Sequence, residues 1–184
     1  MTKCPVCKTL DLQYTEEDLG LRCYSCSSCG GDWIRFEDYL SWKNRTSLEE
    51  AAFDPTHDYV PEYDSKMANL CPDCGKILIK YNVLPGLSFR VDHCGSCNGV
   101  WLDKNEWEAL IKNDSHQQLN DFFTAPWQQK LKREMTRQRF EEHYIKKFGK
   151  DGYDKLKDIR EWVRNSSFRD EAIAFLIDED PFLL

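Results

Sequence analysis

Residues 71–102 read CPDCGKILIKYNVLPGLSFRVDHCGSCNGVWL and contain two Cys-x-x-Cys pairs, Cys71/Cys74 and Cys94/Cys97, with 19 residues between them. This spacing is typical of a site in which four thiolates bind one zinc ion. Each pair places two thiolates on a tight turn, and two facing turns complete a tetrahedral shell with Zn–S distances of about 2.3 Å. The residues in between must go out and come back, and Pro85-Gly86 between two apolar runs predicts a β-hairpin.

An earlier part of the chain repeats this unit. CPVC at 4–7 aligns with CPDC at an offset of 67, and CSSCGGDWI at 26–34 aligns with CGSCNGVWL at an offset of 68. We therefore predict two Zn²⁺ ions, whose ligands are Cys4, Cys7, Cys26, Cys29 and Cys71, Cys74, Cys94, Cys97. Four protein ligands leave no coordination position for water or substrate, so the metal is predicted to be structural and the protein not to be an enzyme.

Some positions of the first copy differ from the second. Its inter-knuckle segment has a polar centre, which predicts shorter or looser strands. The ninth cysteine, Cys23, aligns with Val91, so we predict a buried thiol outside the metal shell; a spare ligand and a redox-sensitive thiol remain alternatives.

Each second knuckle is followed by Gly-x-Trp, which gives Gly31 with Trp33 and Gly99 with Trp101. We expect the glycines in left-handed turns beside the metal. The tryptophans are expected in the core, with stacking on nucleic-acid bases as the alternative. A short helix should then follow in each copy, opened in the second by a capping box of Asp103 and Glu106.

The segment from Cys71 to Glu106 resembles the bacterial zinc-ribbon family named after the ribbon of transcription factor IIB. The shared pattern is Cys-Pro-x-Cys, a hairpin, and Cys-x-x-Cys-x-Gly-x-Trp-Leu-Asp with an acidic residue soon after. The resemblance covers residues 4–42 and 71–112, although the first copy has Lys8 in place of Gly75 and Arg35 in place of Asp103. It implies a zinc-ribbon fold and, by its name, a nucleic-acid or transcription-related role.

The predicted fold class is a small metal-nucleated α+β protein, with two zinc ribbons followed by a helical C-terminal region. The predicted domains are a ribbon at 1–45, an acidic linker at 46–68, a ribbon at 69–115 and a helical region at 116–184. Apolar periodicity predicts about three helices: a long one from Thr124 to Phe148, one over 153–163, and one opened by a capping box at Ser167 and Asp170. Phe168, Ala172, Phe175 and Leu176 should face inward in a small bundle.

Charge is unevenly distributed along the chain, whose formal net charge is −7. Residues 1–125 carry 12 basic and 20 acidic side chains, residues 126–164 carry 12 and 7, and residues 165–184 carry 1 and 5. The acidic ribbons favour a protein partner, whereas the basic helix from Lys130 to Lys147 makes nucleic acid a possible one. No apolar run is long enough to cross a membrane.

These features predict a cytoplasmic, non-enzymatic zinc-ribbon adaptor, with free or metal-bound cysteines rather than disulfides. The alternative is a thiol-redox or zinc-handling protein that uses its Cys-x-x-Cys pairs.

Overall fold

The computed structural model describes residues 2–17, 20–45, 67–87, 89–179 and 181–182. Two compact units are present, Met1–Lys132 and Arg133–Leu184. Both ribbon segments lie in the first unit. The predicted linker at 46–68 lies outside the described residues, except for its last two positions.

Each ribbon consists of a hairpin, a third short strand and a helix. In the first, these are β1 Gln13–Glu17, β2 Leu21–Ser25, β3 Asp32–Ile34 and α1 Phe36–Arg45. In the second, they are β4 Ile79–Asn82, β5 Arg90–His93, β6 Val100–Leu102 and α2 Glu106–Lys112. The expectation of shorter strands in the first copy is wrong: five consecutive residue pairs join β1 to β2, against four between β4 and β5. The polar side chains of β1 are accommodated because that strand lies at a sheet edge.

The two ribbons join in one antiparallel sheet of six strands in the order β1-β2-β3-β6-β5-β4. The joint is the pair β3–β6, in which Trp33 lies opposite Trp101. Asp32 pairs with Leu102 and Ile34 pairs with Val100. Because these are equivalent positions in the repeat, the joint is self-complementary, and an approximate two-fold axis passes between the tryptophans.

The sheet separates two apolar clusters. One lies against the helices and includes Ile34, Leu102, Trp42 and Trp107. The other lies on the knuckle side and contains Trp33, Trp101 and four ligand cysteines: Cys4, Cys26, Cys71 and Cys94. The alternation of strand side chains explains the division, since Trp33 and Ile34 are neighbours that point to opposite faces. Each ribbon therefore contributes to both sides of a shared core.

Gly31 and Gly99 do not have left-handed backbones, so that expectation is wrong; positive φ occurs one residue earlier, at Gly30 (68°) and Asn98 (57°). The glycines are needed for another reason. A methyl group on Gly31 would overlap the ring of Trp101, and one on Gly99 would overlap the ring of Trp33. Each tryptophan thus lies against the glycine of the other ribbon.

The indole N–H groups of the two tryptophans have different acceptors. Trp101 donates to Asp103 of its own ribbon, at 2.8 Å. In the first ribbon Arg35 replaces that aspartate, and Trp33 donates instead to Asp73 of the second ribbon, at 2.9 Å. Arg35 forms a bidentate ion pair with the same carboxylate, with both N–O distances at 2.9 Å. The aspartate missing from the first ribbon is therefore supplied by the second.

Helix packing completes the first unit. The Tyr39 hydroxyl of α1 donates to the carbonyl of His116 and accepts from the amide of Leu119, both in the second half of the unit. One hydrogen bond of the predicted capping box is present at the start of α2. Glu106 accepts from the Asp103 amide at 2.9 Å, while the Asp103 carboxylate accepts from Trp101. The start of the long helix α3, Ala125–Asn165, is fixed by Trp127, which donates to the carbonyl of Val83.

The second unit contains the rest of α3 and α4, Arg169–Ile177. Gly149 interrupts α3 with a φ of 71° and a ψ of 165°, which agrees with the predicted end of the first long helix. The capping box at Ser167 and Asp170 is wrong, because α4 begins after Phe168 and has no side-chain cap. The inward orientation predicted for Phe168, Phe175 and Leu176 is also wrong, since all three are exposed.

Replacing Gly31 or Gly99 by alanine should lower the free energy of unfolding of the zinc-loaded protein by about 1–3 kcal/mol, because the added methyl group displaces a buried indole. Urea unfolding measures this. Gly95→Ser is the matched control, since Gly95 borders open space and Ser27 occupies its place in the first ribbon. Equal stability of all three variants and the wild type would contradict the reciprocal packing.

Asp73→Val, which introduces the equivalent residue of the first ribbon (Val6), should cost about 2–3 kcal/mol, because the Trp33 N–H loses its acceptor and Arg35 loses its ion pair. Adding Arg35→Asp should recover about 1 kcal/mol or more by recreating the arrangement around Trp101. Urea unfolding of the single and double variants tests this, with Lys150→Ala, at the exposed ion pair with Asp154, as a near-neutral control. A double variant less stable than Asp73→Val would argue against it.

Candidate metal centres

The eight predicted ligands form two tetrads, Cys4/Cys7/Cys26/Cys29 and Cys71/Cys74/Cys94/Cys97, each with sulfur atoms within 4.8 Å of one another. In the first tetrad Sγ–Sγ distances of 3.7 and 3.8 Å join Cys4 to Cys29 and Cys26 to Cys7. In the second, distances of 3.6 and 3.4 Å join Cys71 to Cys97 and Cys74 to Cys94. A tetrahedral zinc site with Zn–S bonds of about 2.3 Å has edges of about 3.8 Å. The thiols are thus arranged as a Zn²⁺ ion requires, and all eight are free of disulfides.

Backbone amides of the knuckles point at the sulfurs. The amide of Cys7 donates to Cys4 Sγ at 3.2 Å, and the amide of Cys74 donates to Cys71 Sγ at 3.4 Å. Positive φ at Lys8 (64°) and Gly75 (69°) closes the two first knuckles in the same way. The difference between lysine and glycine at this position therefore leaves the turn unchanged.

Each tetrad contains one thiol, in its second knuckle, whose pKa is lowered. Burial acts to raise the pKa of Cys26, but hydrogen bonds from the amides of Cys29 and Ser28 outweigh it, and the pKa falls to about 7. The same balance lowers the pKa of Cys94 to about 7. Burial is the largest influence on Cys4, whose pKa is raised to about 11. Zinc binding displaces the protons of the ligand thiols, because only thiolates ligate the metal.

Cys23 lies outside both tetrads, as its alignment with Val91 predicts. It is fully buried in β2, and its sulfur lies 3.9 Å from Asp32 Oδ1 and 4.0 Å from Glu17 Oε1. Burial and the Asp32 carboxylate raise the pKa of this thiol to about 12. A thiol held protonated in this way is a poor nucleophile, which disfavours the redox alternative for Cys23.

Trp33 and Trp101 are 0% and 1% exposed, so the prediction that they belong to the core is confirmed and stacking on bases is excluded in this conformation. The basic side chains from Lys130 to Lys147 lie on α3 and are exposed. These basic residues follow the last metal ligand, Cys97, by more than thirty positions in the sequence. Acidic residues lie among them on the same helix, namely Glu134, Glu141 and Glu142.

An exposed apolar patch on the second ribbon was missed by the sequence analysis. Leu70 and Ile77 form an antiparallel bridge, and Ile79 follows on the same face; these three residues, which we call the ribbon patch, are 56%, 65% and 51% exposed. Ile79 belongs to β4, an edge strand of the sheet.

The equivalent positions of the first ribbon are polar. Lys3 and Asp11 form the corresponding bridge, with 3.6 Å between Lys3 Nζ and Asp11 Oδ1, and Gln13 takes the place of Ile79. The fold therefore does not require apolar residues at these three positions. The sequence alone did not reveal the patch, because the offset of 67 aligns Ile77 with Leu10, whereas the structural bridges make it equivalent to Asp11.

Among the described residues, no helix is both long and apolar enough to span a bilayer. No curated protein and no solved structure matches the chain significantly. The transcription factor zinc-finger family matches it twice, over residues 3–45 and 70–113. Both matched segments contain a tetrad, a hairpin, a third strand and a helix in the same order. Residues 3–45 and 70–113 are therefore two zinc ribbons of the transcription factor zinc-finger family.

Proposed function

We propose that the protein is a non-enzymatic adaptor, in which two structural zinc ions hold the double ribbon rigid and the ribbon patch binds a protein partner. The observation that carries this proposal is the exposed trio Leu70, Ile77 and Ile79, which is polar at every equivalent position of the first ribbon. Contiguous exposed apolar residues typically mark sites of protein interaction. An edge strand beside them offers backbone groups to the same partner.

Charge favours a protein over a nucleic acid at this site. Residues 1–125 carry a net charge of −8, which repels a phosphate backbone. Trp33 and Trp101, the tryptophans considered for base stacking, are buried. Nucleic acid stays possible through the basic helix, Lys130–Lys147, and the family description makes a protein of the transcription machinery one candidate partner. Free cysteines throughout suit a reducing compartment such as the cytoplasm.

A role for zinc in catalysis has less support. Each tetrad supplies four thiols, which fill the tetrahedral shell and leave no site for a substrate. Redox cycling or zinc delivery would have to dismantle this shell. The metal instead contributes to folding, on the order of 10–16 kcal/mol of apparent binding free energy per site in comparable small modules.

The purified chain should contain two zinc ions, and Cys26→Ser or Cys94→Ser should reduce this to one. A strong chelator should shift tryptophan emission to the red, because Trp33, Trp42, Trp101 and Trp107 are all buried in the zinc-dependent unit. Since ligation needs thiolates, apparent zinc affinity should fall as the pH is lowered. Cys23→Val, which introduces the side chain that Val91 provides in the second ribbon, is the control and should retain both ions. Loss of zinc from that variant, or unchanged emission after complete metal removal, would contradict the assignment.

The triple variant Leu70→Lys, Ile77→Asp and Ile79→Gln gives the second ribbon the polar residues of the first and should keep the fold. Wild-type bait incubated with extract of the native cell should retain a defined protein at near-stoichiometric amount, also after nuclease treatment. The amount of this protein retained by the triple variant should be lower by at least about tenfold, whereas the control Gln13→Ala should retain the wild-type amount. Capture that survives the triple variant but is abolished by nuclease would replace the adaptor proposal with nucleic-acid binding.

A further inference from the structure

The second unit has almost no core of its own. Among its described residues only Val163 is buried. The exposed apolar side chains of α3 include Phe140, Tyr144, Phe148, Leu156 and Trp162, at 44–63% exposure. Helical segments of this size bury too little surface to be stable alone and need a partner.

Helix α4 is the part of this unit least suited to water. From Ala172 to Ile177 every residue is apolar, so the last turns have no polar face. A helix that is apolar all round is normally buried. Here, none of its residues is buried, and the exposure of its large apolar side chains runs from 36% for Ile173 to 76% for Ile177. Within the part of the chain that the structure describes, Phe182 makes a ring contact with Phe175, but nothing buries α4.

The same unit contains a groove with complementary chemistry. Because Gly149 breaks α3, residues before and after it line one open groove, which we call the interarm groove. Its apolar lining includes Phe140, Tyr144 and Leu156. Four basic side chains, Arg160 and Arg164 among them, outnumber the two acidic ones, Glu141 and Glu161, in its lining. No residue of α4 is among those that line it.

Helix α4 carries the opposite charge. Asp170 and Glu171 occupy its first turn, and Asp178 and Glu179 follow its end. Residues 126–164 have a net charge of +5 and residues 165–184 a net charge of −4. An apolar helix with acidic ends therefore matches an aromatic groove with basic rims, and both features lie on one chain.

We propose that a second copy of this chain is the partner: α4 of each copy lies in the interarm groove of the other, forming a symmetric dimer. Such an exchange closes with two-fold symmetry, since each copy offers the same groove and the same helix. Four exposed apolar side chains that line the groove and four of α4, each about half exposed and of roughly 200 Å², provide roughly 800 Å² per copy. A stable interface needs about 800 Å² per partner.

Charge reversal tests this in the full-length zinc-loaded chain. One variant carries Arg160→Glu and Arg164→Glu, and the other carries Asp170→Lys and Glu171→Lys. The wild type should sediment as a dimer, and each variant alone should dissociate at least about tenfold more readily, because like charges then face each other. An equimolar mixture should restore the dimer, since the acidic groove of one variant accepts the basic helix of the other. Phe175→Asp should abolish dimerisation in the wild-type background.

The controls separate folding from association. Every variant should retain two zinc ions, and the ribbon-patch triple variant should dimerise like the wild type. A wild-type chain that stays monomeric, or a dimer insensitive to both reversals, would overturn the proposal. A further result would also overturn it. If the equimolar mixture fails to form a dimer, and a single chain with all four substitutions is a monomer whose α4 amides are protected from hydrogen exchange, then α4 docks within its own chain.

Discussion

The reciprocal contact between Trp33 and Trp101 across the β3–β6 pair is the constraint on which the first unit depends. Each indole lies over the glycine of the other ribbon, and a side chain at Gly31 or Gly99 would separate the two halves. This contact converts two small metal-nucleated modules into one sheet with a shared core on both faces. Each ribbon is too small to bury a substantial core by itself, so zinc and the pairing contribute jointly to its stability.

The metal ligands were predictable from the sequence because thiolate chemistry fixes their type and spacing. Cys23 was predictable for a different reason: the repeat aligned it with Val91 and not with a ligand. The fusion of the ribbons was not, because strands of only three residues, β3 and β6, have too little periodicity to indicate a pairing partner. Left-handed backbones were predicted at Gly31 and Gly99, but they occur one residue earlier, at Gly30 and Asn98. Asparagine also adopts this conformation, and Asn98 does so beside Gly99.

Departures from the repeat have two different physical meanings. Arg35 differs from Asp103 but is compensated, because Asp73 provides the carboxylate to Trp33 from across the joint. Leu70, Ile77 and Ile79 differ from Lys3, Asp11 and Gln13 with no compensating burial. A compensated difference maintains the fold, whereas an uncompensated apolar one costs solubility and needs another explanation, for which binding is the simplest. Structure was needed to tell the two apart, since both look alike in an alignment.

The helices of the second unit show where amphipathic periodicity misleads. Apolar spacing correctly indicated helices and their break at Gly149, but it carried no information on whether a chain covers its own apolar face.

The ribbon patch and the proposed dimer are linked by this point. If α4 exchange joins two copies, one particle presents two ribbon patches, and a partner with two matching sites binds the second intramolecularly. The gain then depends on the effective concentration set by the connection between the patches, and it requires no additional contact. A weak apolar site of three residues becomes an adequate adaptor surface when it is used twice.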